Sequence, residues 1–520
     1  MPPQINLLYH KFQKYLSFIG PGLVVSVAYL DPGNYSTSVS AGSSYKYKLC
    51  FVIFMSNLFA AVLQTLCIKL GTITGLDLAE MCRLNLDPRL NLFMYICAEI
   101  AIIATDLAEV VGTAISLEIL FGIPLLYGVL ITVLDVLIIL MAYHKNGTLK
   151  QTKVFEIMVS ILVMATCACF ILELFKCNFE PGAAWEIFKG FLPINKELIK
   201  DKNALFISCG IVGSTVMPHS LFLGSALVQP RLKDYDEKLN KMEEATVKPD
   251  NVSTQDSLAT SFEDSSTTTQ VPTSRLRRIS NGSMLLKKYK PSYSAIKYCL
   301  NYSYIELNMS LFFVAVFVNS AILIVAGATL YGKPDAADAD LLSIYEMLSY
   351  YISPAAGLLF ALSMLFSGQS AGIVCTMAGQ IIAEGFINWT IEPWKRRIIT
   401  RIIAIVPVII VIGILGREGV SKVMNSSQVV LSFILPIVSA PLIYFTCKKE
   451  YMIVYDTSKP SVVAETSPLL EMERESNKSQ GKPINFANGK FLRISSILTW
   501  IIITALNFYL IIAFINGADI

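Results

Sequence analysis

Charge is scarce in this sequence, and histidine scarcer still. Of 520 residues, 16% are Asp, Glu, Lys or Arg, 54% are hydrophobic and three are histidine, whereas an ordinary soluble domain is roughly a quarter charged. A soluble chain of this length would divide into two or more domains with polar surfaces. There is too little charge here to cover them, and the mean hydropathy is +0.57. An excess of either sign is also missing: 42 Lys and Arg against 39 Asp and Glu leave +3, which argues against nucleic acid as a partner. The eleven cysteines are scattered without a C-x-x-C pair, so neither a zinc ribbon nor a disulfide framework is indicated. A cleavable leader is not expected either, because the first apolar run is too long and carries Asp31 inside it.

What is abundant is long apolar sequence. Runs of about 20 apolar residues suffice to cross a bilayer as helices. Eleven are read here, near residues 18–41, 50–70, 91–115, 119–143, 153–175, 204–228, 309–332, 354–384, 400–416, 427–446 and 494–516. The expected fold class is an all-α polytopic membrane protein. Lys and Arg collect in cytosolic loops. With residues 1–17 in the cytosol, that side also receives Arg83, Arg89, Lys145, Arg277, Arg278, Lys395 and Arg396, while the opposite loop at 333–350 is acidic. The N-terminus is therefore expected in the cytosol.

Two cytosolic insertions interrupt the spans. Residues 229–292, rich in Ser, Thr and charge, are expected to be disordered for want of apolar surface to bury. They contain Ser280 after Arg277-Arg278, a pattern that basophilic kinases accept and that such a tract also produces by chance. The loop at 447–493 holds Glu465-Thr466-Ser467-Pro468-Leu469-Leu470, which has the form of an acidic dileucine signal read by vesicle-sorting adaptors.

Ionisable groups inside spans are functional candidates by default, because each costs several kcal/mol unless paired, hydrated or metal-bound. The first span reads Asp31-Pro32-Gly33-Asn34 after Gly20-Pro21-Gly22, and the sixth reads Ser214-Thr215-Val216-Met217-Pro218-His219. Proline removes a backbone donor and breaks the helix before it. The plainer reading of Asp31 is a cap on the second half of a kinked helix, which leaves Asp and Asn together at membrane depth unexplained. Interrupted helices in corresponding places of two halves point to a transporter site. Residues 18–175 then form a first inverted repeat, and 204–228 with 309–446 a second, leaving 494–516 as an added span. Asp31, Asn34 and Met217 offer a carboxylate, an amide oxygen and a thioether, with backbone carbonyls near Tyr29 and Ser214 available. A thioether biases such a shell away from calcium and magnesium and toward transition metals. Gln428 in the tenth span could add an amide oxygen or serve only as interhelical glue.

The third span carries Glu99, Thr105, Asp106 and Glu109. Asp106 and Glu109, three apart, share a helix face and suit a proton relay; the alternative is pairing with a basic residue of another span. His219 is the one histidine inside a span. Asp135 and Glu156 are weaker candidates, read as structural hydrogen bonders.

These segments resemble the signatures of the NRAMP family of proton-coupled divalent metal transporters: Asp31-Pro32-Gly33-Asn34, Met217-Pro218-His219, Thr105 through Gly112, and Ser367 through Phe386. The resemblance covers roughly residues 15–446. It implies a LeuT-like fold of two inverted five-helix repeats with broken first and sixth helices. It implies Fe²⁺ or Mn²⁺ as cargo, with no cofactor and no enzymatic activity. It assigns ligation to Asp31, Asn34 and Met217, joined by the Ser214 carbonyl and the Gln428 side chain, and a proton route to His219, Asp106 and Glu109, to which Glu99 is added. One departure stands out: family members often carry a histidine five residues after His219, and here that position is Gly224. The insertions and the dileucine-like segment resemble the fungal Smf branch, and within it the vacuolar, iron-mobilising kind.

Two rivals remain. Gly368-Gln369-Ser370-Ala371-Gly372 fits the G-x-S-x-G pattern, which needs a strand before and a helix after; a Ser370–His219 dyad would make an intramembrane serine protease. An organic-substrate transporter of the same fold would point helix N-termini at a substrate carboxylate, which Asp31 would repel.

Overall fold

The computed structural model describes residues 20–132, 149–193, 201–247, 289–333, 341–388, 393–456 and 482–515. The molecule is built almost entirely of helices around one large apolar core.

The first span is broken as its prolines require. Helix α1, Pro21–Val27, starts on a proline whose fixed φ suits the first helical position. The chain then leaves helical geometry and re-enters it as α2, Pro32–Tyr45, again with proline at its start and Asp31 as the capping residue. Helix α3, Cys50–Thr74, ends at Gly75 in the left-handed conformation. A capping box between Asp77 and Glu80 opens α4, Leu78–Asn85. Helix α5, Pro88–Phe121, has 34 residues and spans about 51 Å at ~1.5 Å per residue. Residues 133–148, which include Asp135 and the second part of the fourth expected span, lie outside the described residues.

Helix α6, Leu149–Lys176, and the short α7, Ala183–Gly190, complete the first half. The second half repeats the break. Helix α8, Lys202–Thr215, stops at Val216, and α9, Pro218–Ala226, starts from Met217, held extended (ψ 127) as the residue before a proline must be. From Ala204 through Ser225 every residue but Phe206 is buried, so this broken span lies inside the bundle.

Helix α10, Gln229–Val247, corrects the expectation for the first third of the 229–292 insertion. Its Leu, Lys and Glu residues are good helix formers, and Leu232 gives it an apolar anchor against Ala295 and Cys299. Asp236 accepts hydrogen bonds from Ser292 N (3.0 Å), Ser292 Oγ (2.5 Å) and Tyr289 Oη (2.5 Å). The seventh span starts earlier than expected, with α11 at Tyr293–Ser310; a π-helical turn, Leu311–Val316, joins it to α12, Phe317–Thr329. Helix α13, Leu341–Tyr351, leads into α14, Pro354–Ile387. The ninth and tenth expected spans lie in one helical stretch, α15, Pro393–Cys447, with Pro407, Pro436 and Pro441 inside it. The expected loop at 447–493 contains an antiparallel pair, β1 (Ile453–Asp456) with β2 (Lys482–Asn485). Helix α16, Lys490–Ile515, ends the described chain. Ser280, Glu465, Leu469 and Leu470 lie outside the described residues.

Among the described residues, eight helices are long and apolar enough to cross a membrane. The first expected span is absent from that count because its two pieces, 7 and 14 residues long, each fall short of the ~20 needed. Ten of the eleven cysteines are buried, and all are free.

Candidate metal site

The two breaks meet. Asp31 caps α2 by accepting from Asn34 N at 3.1 Å, and the Asn34 side-chain nitrogen donates to Asp31 Oδ1 at 2.6 Å and to the Ser214 carbonyl at 3.0 Å. That carbonyl belongs to the last turn of α8, where the missing helix ahead leaves carbonyls without partners. Thr37 Oγ1 and Ser214 Oγ lie 3.2 Å apart and fasten the same seam. All of these residues are buried.

Gln428 comes in from α15. Its side chain lies directly on Gly33, where any Cβ would overlap the amide, and its nitrogen donates to Ser427 Oγ at 3.1 Å. Met217 is fully buried as the capping residue of α9, its carbonyl engaged by Ser220 N and Oγ. The structure thus joins Asp31, Asn34 and Ser214 by direct hydrogen bonds and sets Gln428 and Met217 on the elements that flank them. The Tyr29 carbonyl, expected to be available, is engaged by Asn319 Nδ2 at 3.0 Å, and the Leu30 carbonyl by Ser367 Oγ.

The chemistry of the seam is set by oxygens left over. Asp31 Oδ2, Thr215 Oγ1, Asn319 Oδ1 and Gln428 Oε1 are all buried without a hydrogen-bond partner among the described residues. A buried polar atom of this kind costs about 1–3 kcal/mol, so a group of acceptors around two helix breaks is matched by a cation. One carboxylate, amide and carbonyl oxygens and a thioether on the α9 cap make a mixed donor set that favours a divalent transition metal over calcium.

Beside this seam, Gln64 on α3 donates to Tyr29 Oη, Ser220 O and Ser220 Oγ, each at 3.0 Å. Gln64 also explains Gly224: a side chain at position 224 would run into Gln64 Oε1.

The carboxylates of the third span divide. Asp106 and Glu109 gather with Cys375 of α14, their ligand atoms within 4.8 Å of one another. His219 Nδ1 lies 3.5 Å from Thr105 Oγ1, and Asp106 acts on its ring electrostatically. Glu99 is not part of this group. It forms an ion pair with Arg396 in the first turn of α15, a basic residue expected in a loop. Ser370 donates to the Ser367 carbonyl at 3.0 Å and His219 faces Thr105, so no serine–histidine dyad is formed.

Three features have no sequence signal. Glu306 on α11 lies outside the span expected at 309–332 and caps α1, accepting from Gly20 N at 3.0 Å and Gly22 N at 2.8 Å. Glu156, expected as a structural hydrogen bonder, is one, but its partner is Arg231 on the unexpected α10, at 3.1 Å. Cys375 reaches the acidic pair from a run of small residues that reads as packing.

Comparison with known proteins gives one consistent result. The family described as "Natural resistance-associated macrophage protein-like" (Nramp) matches residues 22–466. The chain is 54% identical to the iron transporter SMF3 of Saccharomyces cerevisiae, covering 98% of each. It is 45% identical to the manganese transporter SMF1 of the same yeast, covering 96% of this chain and 86% of that one. A crystal structure of a manganese transporter mutant from Eremococcus coleocola superposes with a TM-score of 0.70 at 27% identity, covering 98% of this chain and 90% of that chain.

Proposed function

The chain belongs to the Nramp family, and on that premise we propose that it carries Fe²⁺ or Mn²⁺ together with protons into the cytosol by alternating access. Divalent metal transport is the common activity of its relatives; the metal is cargo, not a cofactor, and the protein is not an enzyme. The observation that carries the reading is the leftover acceptor set, above all Asp31 Oδ2, at the meeting of two broken helices.

In this reading Asp31, Asn34, Met217, the Ser214 carbonyl and Gln428 hold the metal. Neutralising Asp31 lets the two broken spans, the moving pieces of the inverted repeats 18–175 and 204–228 with 309–446, rock from one face to the other. Asp106, Glu109 and His219 carry the proton. Identity of 54% with a named iron transporter, against 45% with a manganese one, favours iron. The dileucine-like Glu465–Leu470 favours a vacuolar membrane, through an adaptor. With the N-terminus cytosolic, an acidic lumen then drives metal and proton out together.

The test is uptake of Mn²⁺ and Fe²⁺ into proteoliposomes with and without external acid, for wild type and Met217→Ala. Acid-stimulated uptake, with calcium refused by wild type and admitted by the variant, is the expected result. Absence of uptake under every gradient, with intact reconstitution, would sink the proposal.

A further inference from the structure

At the opposite end of the bundle from Gly20, a small cavity lies beneath α13, which covers it with Ile344 and Leu348. Its other walls are Val39 of α2, Phe170 of α6, Ile322 of α12 and Phe360 of α14, and into it points one acid, Glu173 of α6. Glu173 is fully buried, and neither carboxyl oxygen has a hydrogen-bond partner among the described residues.

Among the described residues, each element around Glu173 can be named. From its own helix it feels Cys169 and Cys177; Cys177 Sγ lies 3.6 Å from Thr329 Oγ1 at the end of α12. From α2 it feels Tyr35, whose ring rests on Phe170 at 5.4 Å and Phe360 at 5.9 Å. From α13 and α14 it meets apolar side chains, and the one acid of α13, Glu346, is exposed. No cation pairs with it among the described residues. A bare carboxylate in such a place is prohibitive, whereas a neutral carboxylic acid is tolerable.

We propose that Glu173 is a proton-binding site separate from Asp31 and the Asp106–Glu109 pair, holding a proton while α13 closes the cavity and releasing it to water when α13 lifts. On opening, the carboxyl O–H breaks, its proton passes to water and a hydrated carboxylate remains; closing reverses the step. The closed state binds the proton more tightly, so by linkage acid on this face favours closure. The inference rests on the alternating-access reading, but neither readout below requires metal.

The test uses the full-length chain in lipid vesicles. Infrared spectra are expected to contain a protonated-carboxyl C=O band that Glu173→Gln removes. A thiol placed on the cover by Ile344→Cys, its rate with an impermeant maleimide divided by that of an exposed thiol at Tyr350→Cys to remove the pH dependence of thiol ionisation, should react about tenfold faster per pH unit of alkalinisation. In Glu173→Gln that labelling should be slow at every pH, and Glu173→Asp should keep the pH dependence. A band that persists in Glu173→Gln, or labelling with the wild-type pH profile there, overturns the proposal. Loss of the profile in both variants would mark Glu173 as merely structural and overturn it as well. Metal uptake that survives these failures leaves the transport reading intact.

Discussion

The side-chain amide of Asn34 bridges Asp31 and the Ser214 carbonyl through its nitrogen, at 2.6 and 3.0 Å. Both acceptors are groups that would otherwise ligate a cation, so the NH₂ group, with its partial positive charge, sits between them as a cation would. For Asn34 to bind metal through oxygen, its amide must turn over, breaking both bonds as the ion replaces them. On the proposed reading, the seam is thereby held shut by one of the residues that would ligate the metal.

Replacing that bridge should separate holding from binding. Asn34→Ala leaves two buried acceptors without their donor, and should cost about 1–3 kcal/mol of stability. Thermal unfolding of the purified protein measures the loss, and Mn²⁺ should recover much of it, because the ion reaches the same two oxygens.

Asp31→Asn should abolish Mn²⁺ binding while the helix break survives. An amide oxygen can still cap α2, as asparagine does elsewhere, so the fold persists and the charge does not. Calorimetric titration checks this; binding within about tenfold of wild type would remove Asp31 from the ligand set.

Arg231 and Glu156 form a buried ion pair between α10 and α6, their side chains 9% and 5% exposed. Arg231→Ala strands a buried carboxylate and should destabilise by about 3–5 kcal/mol. Arg231→Met with Glu156→Gln removes both charges and should recover most of that, as read by thermal unfolding in detergent.

Gly224→His restores the histidine common in the family, yet the new side chain collides with Gln64. Alone it should impair folded yield and uptake together. Combined with Gln64→Ala, which clears the space, it should recover both; failure to recover would mean that Gln64 is needed for its bonds to Tyr29 and Ser220 rather than merely in the way.

Asp106→Asn should leave metal binding in place and flatten the acid stimulation of uptake by about tenfold per pH unit lost. Glu99→Gln, which unpairs Arg396, should instead lower stability and leave the pH profile unchanged. A profile that flattens equally in both would place Glu99 on the proton route with Asp106.

The breaks at Asp31 and Met217 were legible because proline, glycine and polar side chains have no business together inside apolar runs. Asp106 and Glu109 were legible for the same reason. Their neighbours were not. Arg231 and Glu306 sit beyond the ends of the expected spans, where charge attracts no notice, and Arg396 was one basic residue in a cytosolic cluster. Glu173 stands near the end of its span, three residues short of Lys176, where snorkelling toward water is the ordinary reading; only packing reveals that it turns inward. Sequence finds the residue that is costly in lipid, but the partner that relieves the cost lies on another helix.

The clamp that Asp236 makes with Tyr289 and Ser292 has a practical side. The two described segments that flank residues 248–288 are fastened to each other at this point, so an insertion between them has little leverage on the bundle; doubling the length of a connection costs only about 0.6 kcal/mol. The fold has in effect a built-in splice site. A fluorescent reporter or an epitope grafted there would ride on the transporter as a passenger, and natural lineages could lengthen, shorten or rewrite that stretch without retuning the ion pathway.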